Sequence, residues 1–254
     1  MRAVIAAFAV AWLAACAQLV PAPQAGPVAR PEAEASWARV LDRFVDGAGR
    51  VDFHALAGQR TDLDRYVAWV YLNGPNNRPE LFSGRTDVMA FHLNAYNALA
   101  MYSVLEAGVP RSLSSYGLLE FFWLREVAVG GASISLYRYE KDVIRPLGDA
   151  RVHFALNCMA ASCPRLPRRP FRAQSLDADL DREARRFLAE SRNVQVDAER
   201  RVVRLSEIFD FFPEDFLAQA PSLVAYVNRY REPDIPPDYA IEFIPYDWSV
   251  ARQP

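Results

Sequence analysis

The chain has 254 residues, is 52% hydrophobic and carries a formal net charge of -2. That apolar content is enough for a real core. The near-neutral balance excludes the basic face that a nucleic-acid binder needs, and Lys141 is the only lysine among basic residues that are otherwise arginine.

Met1-Arg2 gives a minimal positive start, and Ala3 to Leu13 is an uncharged apolar run. The run is too short to span a bilayer comfortably and has the shape of a secretory signal. It ends in Leu13-Ala14-Ala15-Cys16, which resembles the lipobox of bacterial lipoproteins. In that class the signal is cleaved before the cysteine and the thiol is acylated; the bland alternative is ordinary Ala-x-Ala cleavage beside a chance cysteine. The expectation is a signal peptide over 1–15 and a lipid on Cys16, the only membrane attachment expected. Ala17 after the cysteine, rather than aspartate, resembles outer-membrane sorting if the host is diderm. The chain is therefore expected to be exported, lipid-anchored at the cell envelope and facing the periplasm. Pro21, Pro23, Pro27 and Pro31 make residues 16–35 read as an extended Pro/Ala-rich tether. Residues 36–254 fit one domain.

In chain order, Ser36 to Val45 has a helical apolar stripe behind a Ser36 cap, and Asp46-Gly47-Ala48-Gly49 ends it. A second helix is predicted over 61–72, stopped by Asn73-Gly74-Pro75, and the longest over 86–107. Residues 126–129 and 132–136 flank Gly130-Gly131 as a tight hairpin. A short helix follows over 137–145. Arg151 to Asn157 reads as a buried strand running into Cys158, and a proline-studded loop follows. Residues 175–191 form an amphipathic helix with Leu176, Leu180, Ala184, Phe187 and Leu188 inward. Residues 194–196 and 202–205 form a second hairpin, short helices run through Tyr230, and residues 239–244 form a last strand. Helices and hairpins mix without regular strand–helix alternation. The fold class is therefore α+β, with a mainly antiparallel sheet and helices packed around it.

Several common sites are missing from the sequence: no Gly-rich phosphate loop, no Gly-x-Ser-x-Gly elbow and no His-Glu-x-x-His. His54, His92 and His153 have no metal-ligand spacing, so no metal and no cofactor is expected. Two segments carry chemistry. In the long helix Asn94 and Asn97 are spaced i, i+3 and share a face. A buried amide without partners costs about 1–3 kcal/mol, so each must either pin a neighbouring backbone or serve a site. The second segment, Arg151 to Pro167, places His153 five residues before Cys158, which invites a thiolate–imidazole pair. On a strand these two would point to opposite faces, with Asn157 beside His153. Nor does Cys163-Pro164 open a helix that would lower a thiol's pKa. In an oxidising compartment Cys158 and Cys163 stand open to four readings: a structural disulfide, a catalytic thiol on Cys158, a redox-active pair, or two inert buried thiols. Glu140 and Arg145 could pair with each other or line a pocket.

At FHLNAYNAL (91–99), VAVGGASISL (127–136), Glu140 with Ile144-Arg145, RVHFALNCMAASCPRL (151–166), LSEIFDFF (205–212) and YDWS (246–249) the chain resembles the domain-of-unknown-function 547 family. Asn94, Asn97, Glu140, His153, Asn157, Cys158, Ser162 and Cys163 match its motifs. This chain departs at His92, where the family usually carries tryptophan, and at Lys141, where histidine is common. The family's activity is not established; fusion of some members to a glutaredoxin-like domain hints at thiol chemistry. The expectation is one cleft lined by Asn94, Asn97, Glu140, His153, Asn157, Cys158, Ser162 and Cys163. Its enzymatic form is a cysteine hydrolase on peptide- or amide-like material, with Cys158 attacking, His153 or a water moving the proton and an asparagine, Asn94, steadying the oxyanion. The alternative is a non-catalytic binding or scaffolding lipoprotein, with a structural Cys158–Cys163 disulfide and an envelope ligand or protein as its partner.

Overall fold

The computed structural model describes residues 18–254; the expected signal peptide and Cys16 lie outside them. The first described residues do not form the tether read from the prolines. Strand β1 (Gln18–Leu19) pairs in parallel with β2 (Arg125–Val129), matching Gln18 to Arg125 and Leu19 to Glu126. Val20 is buried, and its carbonyl accepts from the Tyr71 hydroxyl at 3.2 Å, while that of Pro21 accepts from Tyr102 at 2.8 Å. Helix α1 (Arg30–Phe44) then begins six residues before Ser36, with Pro31 in its first turn. Proline starts a helix well, because the N–H it lacks would have no partner there. Ser36 is no cap: it lies buried inside α1, and its hydroxyl bonds the Glu32 carbonyl.

Helix α2 (Phe53–Gly58) is capped by Asp52, and α3 (Thr61–Leu72) and α4 (Arg85–Glu106) follow near their predicted bounds. Helix α4 is buried over most of its length, so apolar side chains surround it instead of forming one stripe. It is the axis of a first core shared with α1, α3 and the first sheet. After α5 (Leu113–Tyr116) comes a π-helical turn, Glu120–Leu124, then the expected hairpin of β2 with β3 (Ala132–Ser135). Helix α6 (Leu136–Arg138) opens into a second π-helical turn, Tyr139–Ile144.

The predicted strand over 151–157 is instead a 3-10 turn, Ala150–Phe154, running into a loop. The Asp149 carboxylate caps it by accepting from Arg151 N at 3.0 Å, and Asp149, Asp177 and Asp181 together hold the Arg151 guanidinium. Val152 to Asn157 are all buried. A short continuous apolar run of that kind does not separate strand from turn. Helix α7 (Leu176–Ala189) buries the five inward residues read from its stripe. Leu176 and Leu180 join the first core, while Ala184, Phe187 and Leu188 pack with α8 (Ile208–Phe211), α9 (Pro213–Leu217), α10 (Leu223–Val227) and the second sheet into a second core. That sheet orders β4 (Val194–Asp197), β5 (Val202–Ser206) and β6 (Ala240–Ile244).

The mixed helix-and-sheet class therefore holds, but the sheet is not mainly antiparallel. Among the described residues there are two sheets of three strands, and each joins an antiparallel hairpin to one parallel partner, β1 in the first and β6 in the second. Hairpins announce themselves through their turns. A parallel strand added from a distant segment has no such local mark. No helix among the described residues is long and apolar enough to cross a membrane.

Candidate active site: a dithiol at the foot of an aromatic cleft

Where the two cores meet lies a cleft of about 320 Å³. Its walls are aromatic: Tyr96 from α4, Phe122 and Trp123 from the first π-helical turn, Tyr137 from α6, Phe211 and Phe212 around α8, and Tyr246 and Trp248 near the C-terminus. Its polar groups are Glu140, His153, Cys158 and Cys163. The π-helical turns matter here, because their extra residue per turn redirects the side chains that follow. One carries Phe122 and Trp123, the other Glu140.

The cysteine loop is fixed from both sides. On α4, the Asn97 amide donates to Ala155 O at 3.0 Å and its oxygen accepts from Asn157 N at 2.7 Å. The Asn157 side chain in turn accepts from Met159 N at 2.7 Å and donates to Pro164 O at 2.6 Å, tying the two ends of the loop together. Met159 is thereby held at φ +72°, a left-handed conformation uncommon outside glycine. The C-terminal segment lies along the outer side: Ala161 N donates to Ser249 O, Asp247 N to the Ser162 hydroxyl and Ala251 N to Met159 O.

Within this frame the Cys158 and Cys163 sulfurs lie 2.7 Å apart, as free thiols. Cys163 is buried and Cys158 half-buried. Burial works to raise the Cys163 thiol, but hydrogen bonds from the Cys158 thiol, the Tyr246 hydroxyl and backbone N–H groups outweigh it and bring its pKa below the ordinary value. Tyr246 Oη and Cys158 N both stand 3.2 Å from Cys163 Sγ. Cys158 moves the opposite way: its hydrogen bond to Cys163, burial and the neighbouring negative charge push it well above the usual thiol range. The thiolate of the pair therefore belongs on Cys163, whereas sequence reasoning placed the nucleophile on Cys158.

His153 bonds elsewhere than expected. Its Nε2 is 2.7 Å from the Asp215 carboxylate, its Nδ1 is 3.7 Å from Glu140, and its ring stacks on Phe212 with centroids 4.3 Å apart. Arg145 grips the same Asp215 at 2.6 Å and pairs with Glu214, not with Glu140. Burial pulls the Asp215 carboxyl upward, yet the bonds from His153 and Arg145 prevail and hold it well below the ordinary range. Glu140 shows the reverse. With only 18% of its side chain exposed, burial raises it despite His153 and the Tyr96 hydroxyl at 3.3 Å. The cleft thus holds one carboxyl group pushed below its ordinary pKa and one pushed above it, on opposite edges of the same imidazole.

Of the residues grouped from the sequence, Glu140, His153, Cys158 and Cys163 meet in the cleft. Asn97, Asn157 and Ser162 hold the cysteine loop without lining it. Asn94 serves another place: its amide donates to Phe171 O at 2.8 Å and accepts from Phe171 N and Trp37 Nε1, beside a separate groove. Asn94 is therefore not among the residues that line the cleft and is not placed to steady an oxyanion there. Asp215, Tyr96 and Tyr246 were missed as site residues. Tyr246 sits in a segment that the sequence singled out, but Asp215, in Pro213-Glu214-Asp215, carried no signal. Among the described residues no cluster of three or more His, Cys, Asp or Glu side chains is arranged to hold a metal ion.

No curated protein and no solved structure matches the chain. Residues 80–188, from the approach to α4 through α7, match the model of the family described as "Protein of unknown function, DUF547". This range carries the cysteine loop, His153, Glu140 and both asparagines, and over it the chain is similar to the DUF547 family.

Proposed function

We propose that the cleft carries out thiol–disulfide exchange, with Cys158 and Cys163 cycling between dithiol and disulfide. The observation behind this reading is the pair itself: two sulfurs 2.7 Å apart, of which only Cys163 is surrounded by donors that favour its thiolate. In the disulfide form, a substrate thiolate attacks Sγ of Cys158, the more exposed sulfur. A substrate–Cys158 bond forms, the Cys158–Cys163 bond breaks, and the electron pair leaves on Cys163, where the Tyr246 hydroxyl and Cys158 N–H receive it. A low-pKa thiol is the better leaving group, and stabilising it makes the disulfide a stronger oxidant. A second substrate thiol, deprotonated, then attacks the substrate sulfur of the mixed disulfide and expels Cys158. Cys158 takes a proton, as its raised pKa favours. The substrate dithiol has lost two electrons to the pair and becomes a disulfide, and exchange with another disulfide resets the protein. The aromatic walls favour substrates that present apolar side chains around their thiols.

The lipobox-like Leu13-Ala14-Ala15-Cys16 supports export and anchorage at a bacterial envelope membrane, where thiols of other exported proteins are the available partners. Titrating the native protein against reduced and oxidised glutathione, with alkylation and mass measurement, tests the exchange. Both cysteines should convert reversibly, and Cys163→Ser should trap a mixed disulfide on Cys158. A bridge that resists reduction until the protein unfolds would instead support the structural disulfide of a binding lipoprotein.

A cysteine hydrolase on peptide- or amide-like substrates is the second reading, favoured by His153 lining the same cleft as Cys158. It predicts turnover of a chromogenic amide that Cys158→Ser abolishes and Cys163→Ser spares. His153 Nε2 is bonded to Asp215, and no hydrogen bond joins the ring to Cys158, which weighs against it.

A further inference from the structure

The packing of residues 18–35 onto the domain bears on how the protein meets a membrane. A free tether of 20 residues would leave its orientation open. Here Gln18 is already paired in β1, only two residues after Cys16, and two residues span at most about 7 Å. The register fixes where that short lead emerges. Gln18 pairs in parallel with Arg125, and Glu126 pairs with Ser135, so β1 and β2 start and β3 ends at the same end of the sheet. Just beyond that end, Trp123 and Tyr137 stack with centroids 4.7 Å apart, and both line the cleft.

This end is also apolar and exposed. Leu19 is 55% exposed, Leu119 63% and Trp123 44%. Phe211, across the cleft, is 41% exposed. The ammonium of Lys141 lies 5.5 Å from the Tyr137 ring centroid, beside the stacked pair. Tryptophan with neighbouring leucines and a cation is the composition favoured at a phospholipid headgroup boundary.

We propose that Leu19, Leu119 and Trp123 rest on the bilayer interface, with Lys141 among the lipid phosphates, so that the mouth of the dithiol cleft opens at the membrane surface. The proposal rests on acylation of Cys16. The anchor then sets orientation as well as location, and the cleft receives thiols presented at the membrane in preference to those free in the bulk.

The test uses the mature full-length protein, its acylation first checked by mass, reconstituted into phosphatidylethanolamine/phosphatidylglycerol vesicles containing brominated acyl chains. Tryptophan emission should be quenched, and Trp123→Phe should remove most of that quenching, because Trp37 and Trp69 are buried and Trp248, which also lines the cleft, is less exposed than Trp123. Inserting about 20 Gly/Ser residues between Ala17 and Gln18, a spacer with a mean reach of about 25 Å, should keep the protein on vesicles yet relieve the quenching. An unacylated Cys16 overturns this proposal together with the anchored reading. An acylated protein whose Trp123 is unquenched, or equally quenched with the spacer, overturns this proposal alone.

Discussion

Truncating Asn97 to alanine separates a pin from a bystander. Its amide satisfies Asn157 N and Ala155 O, and Asn97, Ala155 and Asn157 are at most 3% exposed. Removing it strands one buried donor and one buried acceptor at about 1–3 kcal/mol each. A water entering the vacated polar space recovers part of this. The net expectation is a loss of about 3 kcal/mol, read by urea unfolding as a lower midpoint at unchanged slope. Asn97 also holds the residue whose side chain ties Met159 to Pro164, so the dithiol loop should loosen and the Cys163 thiol pKa rise. Iodoacetamide reactivity against pH reads that shift. Asn94→Ala is the control from the same helix face: its bonds to Phe171 and Trp37 predict a similar stability loss with the thiol profile unmoved. A loss below about 1 kcal/mol for Asn97→Ala, or a thiol profile moved equally by both variants, would refute the reasoning.

Three further outcomes follow from the cleft and its surroundings. Tyr246→Phe removes a hydroxyl donor 3.2 Å from Cys163 Sγ, so the alkylation profile should move to higher pH, with little change in melting temperature. His92 is held down to about 4 by burial, whereas an unfolded histidine titrates near 6.5; between these values the unfolded chain binds the extra proton. Stability should therefore fall by up to roughly 3 kcal/mol as pH drops through that window, and His92→Phe should flatten this limb of a urea-midpoint series. Asp215 is depressed in the folded state, so its contribution is complete above the ordinary carboxylate pKa and is lost on acidification toward its lower folded value. Asp215→Asn should weaken the fold at neutral pH and remove part of its acid sensitivity below about pH 4, seen by thermal unfolding across pH.

The fold was legible wherever a local rule decided it. The inward stripe of α7, the Gly130-Gly131 turn between β2 and β3 and the Asn73-Gly74-Pro75 stop of α3 all rest on residues within a few positions of one another. The misses share the opposite property. β1 is two residues long and exists because β2 offers it an open edge. The turn over 150–154 exists because Arg151 is gripped by aspartates, two of them 26 and 30 residues away on α7. The prolines near the N-terminus were read as breakers, although Pro31 in a first helical turn is a start signal and Val20 and Trp37 on either side are buried.

The site divides in the same way. Cys158, Cys163, His153 and Glu140 were visible as chemistry, but their roles depend on partners that proximity in sequence cannot supply. His153 lies five residues from Cys158, and that spacing suggested a base beside a nucleophile. In the fold its nitrogens face Asp215, 62 residues on, and Glu140 on a π-helical turn. The thiols reverse for a similar reason. Cys158 is the more exposed and the nearer to His153, yet the hydroxyl that favours a thiolate comes from Tyr246 and is 3.2 Å from Cys163 against 4.0 Å from Cys158. The C-terminal segment is thus part of the chemistry and not a trailing end. Ser162, Ala161 and Met159 bond to Asp247, Ser249 and Ala251, and this clasp fixes which sulfur Tyr246 meets. Because the preference for Cys163 depends on that clasp, loosening either side of it should even out the two thiols before it unfolds the domain.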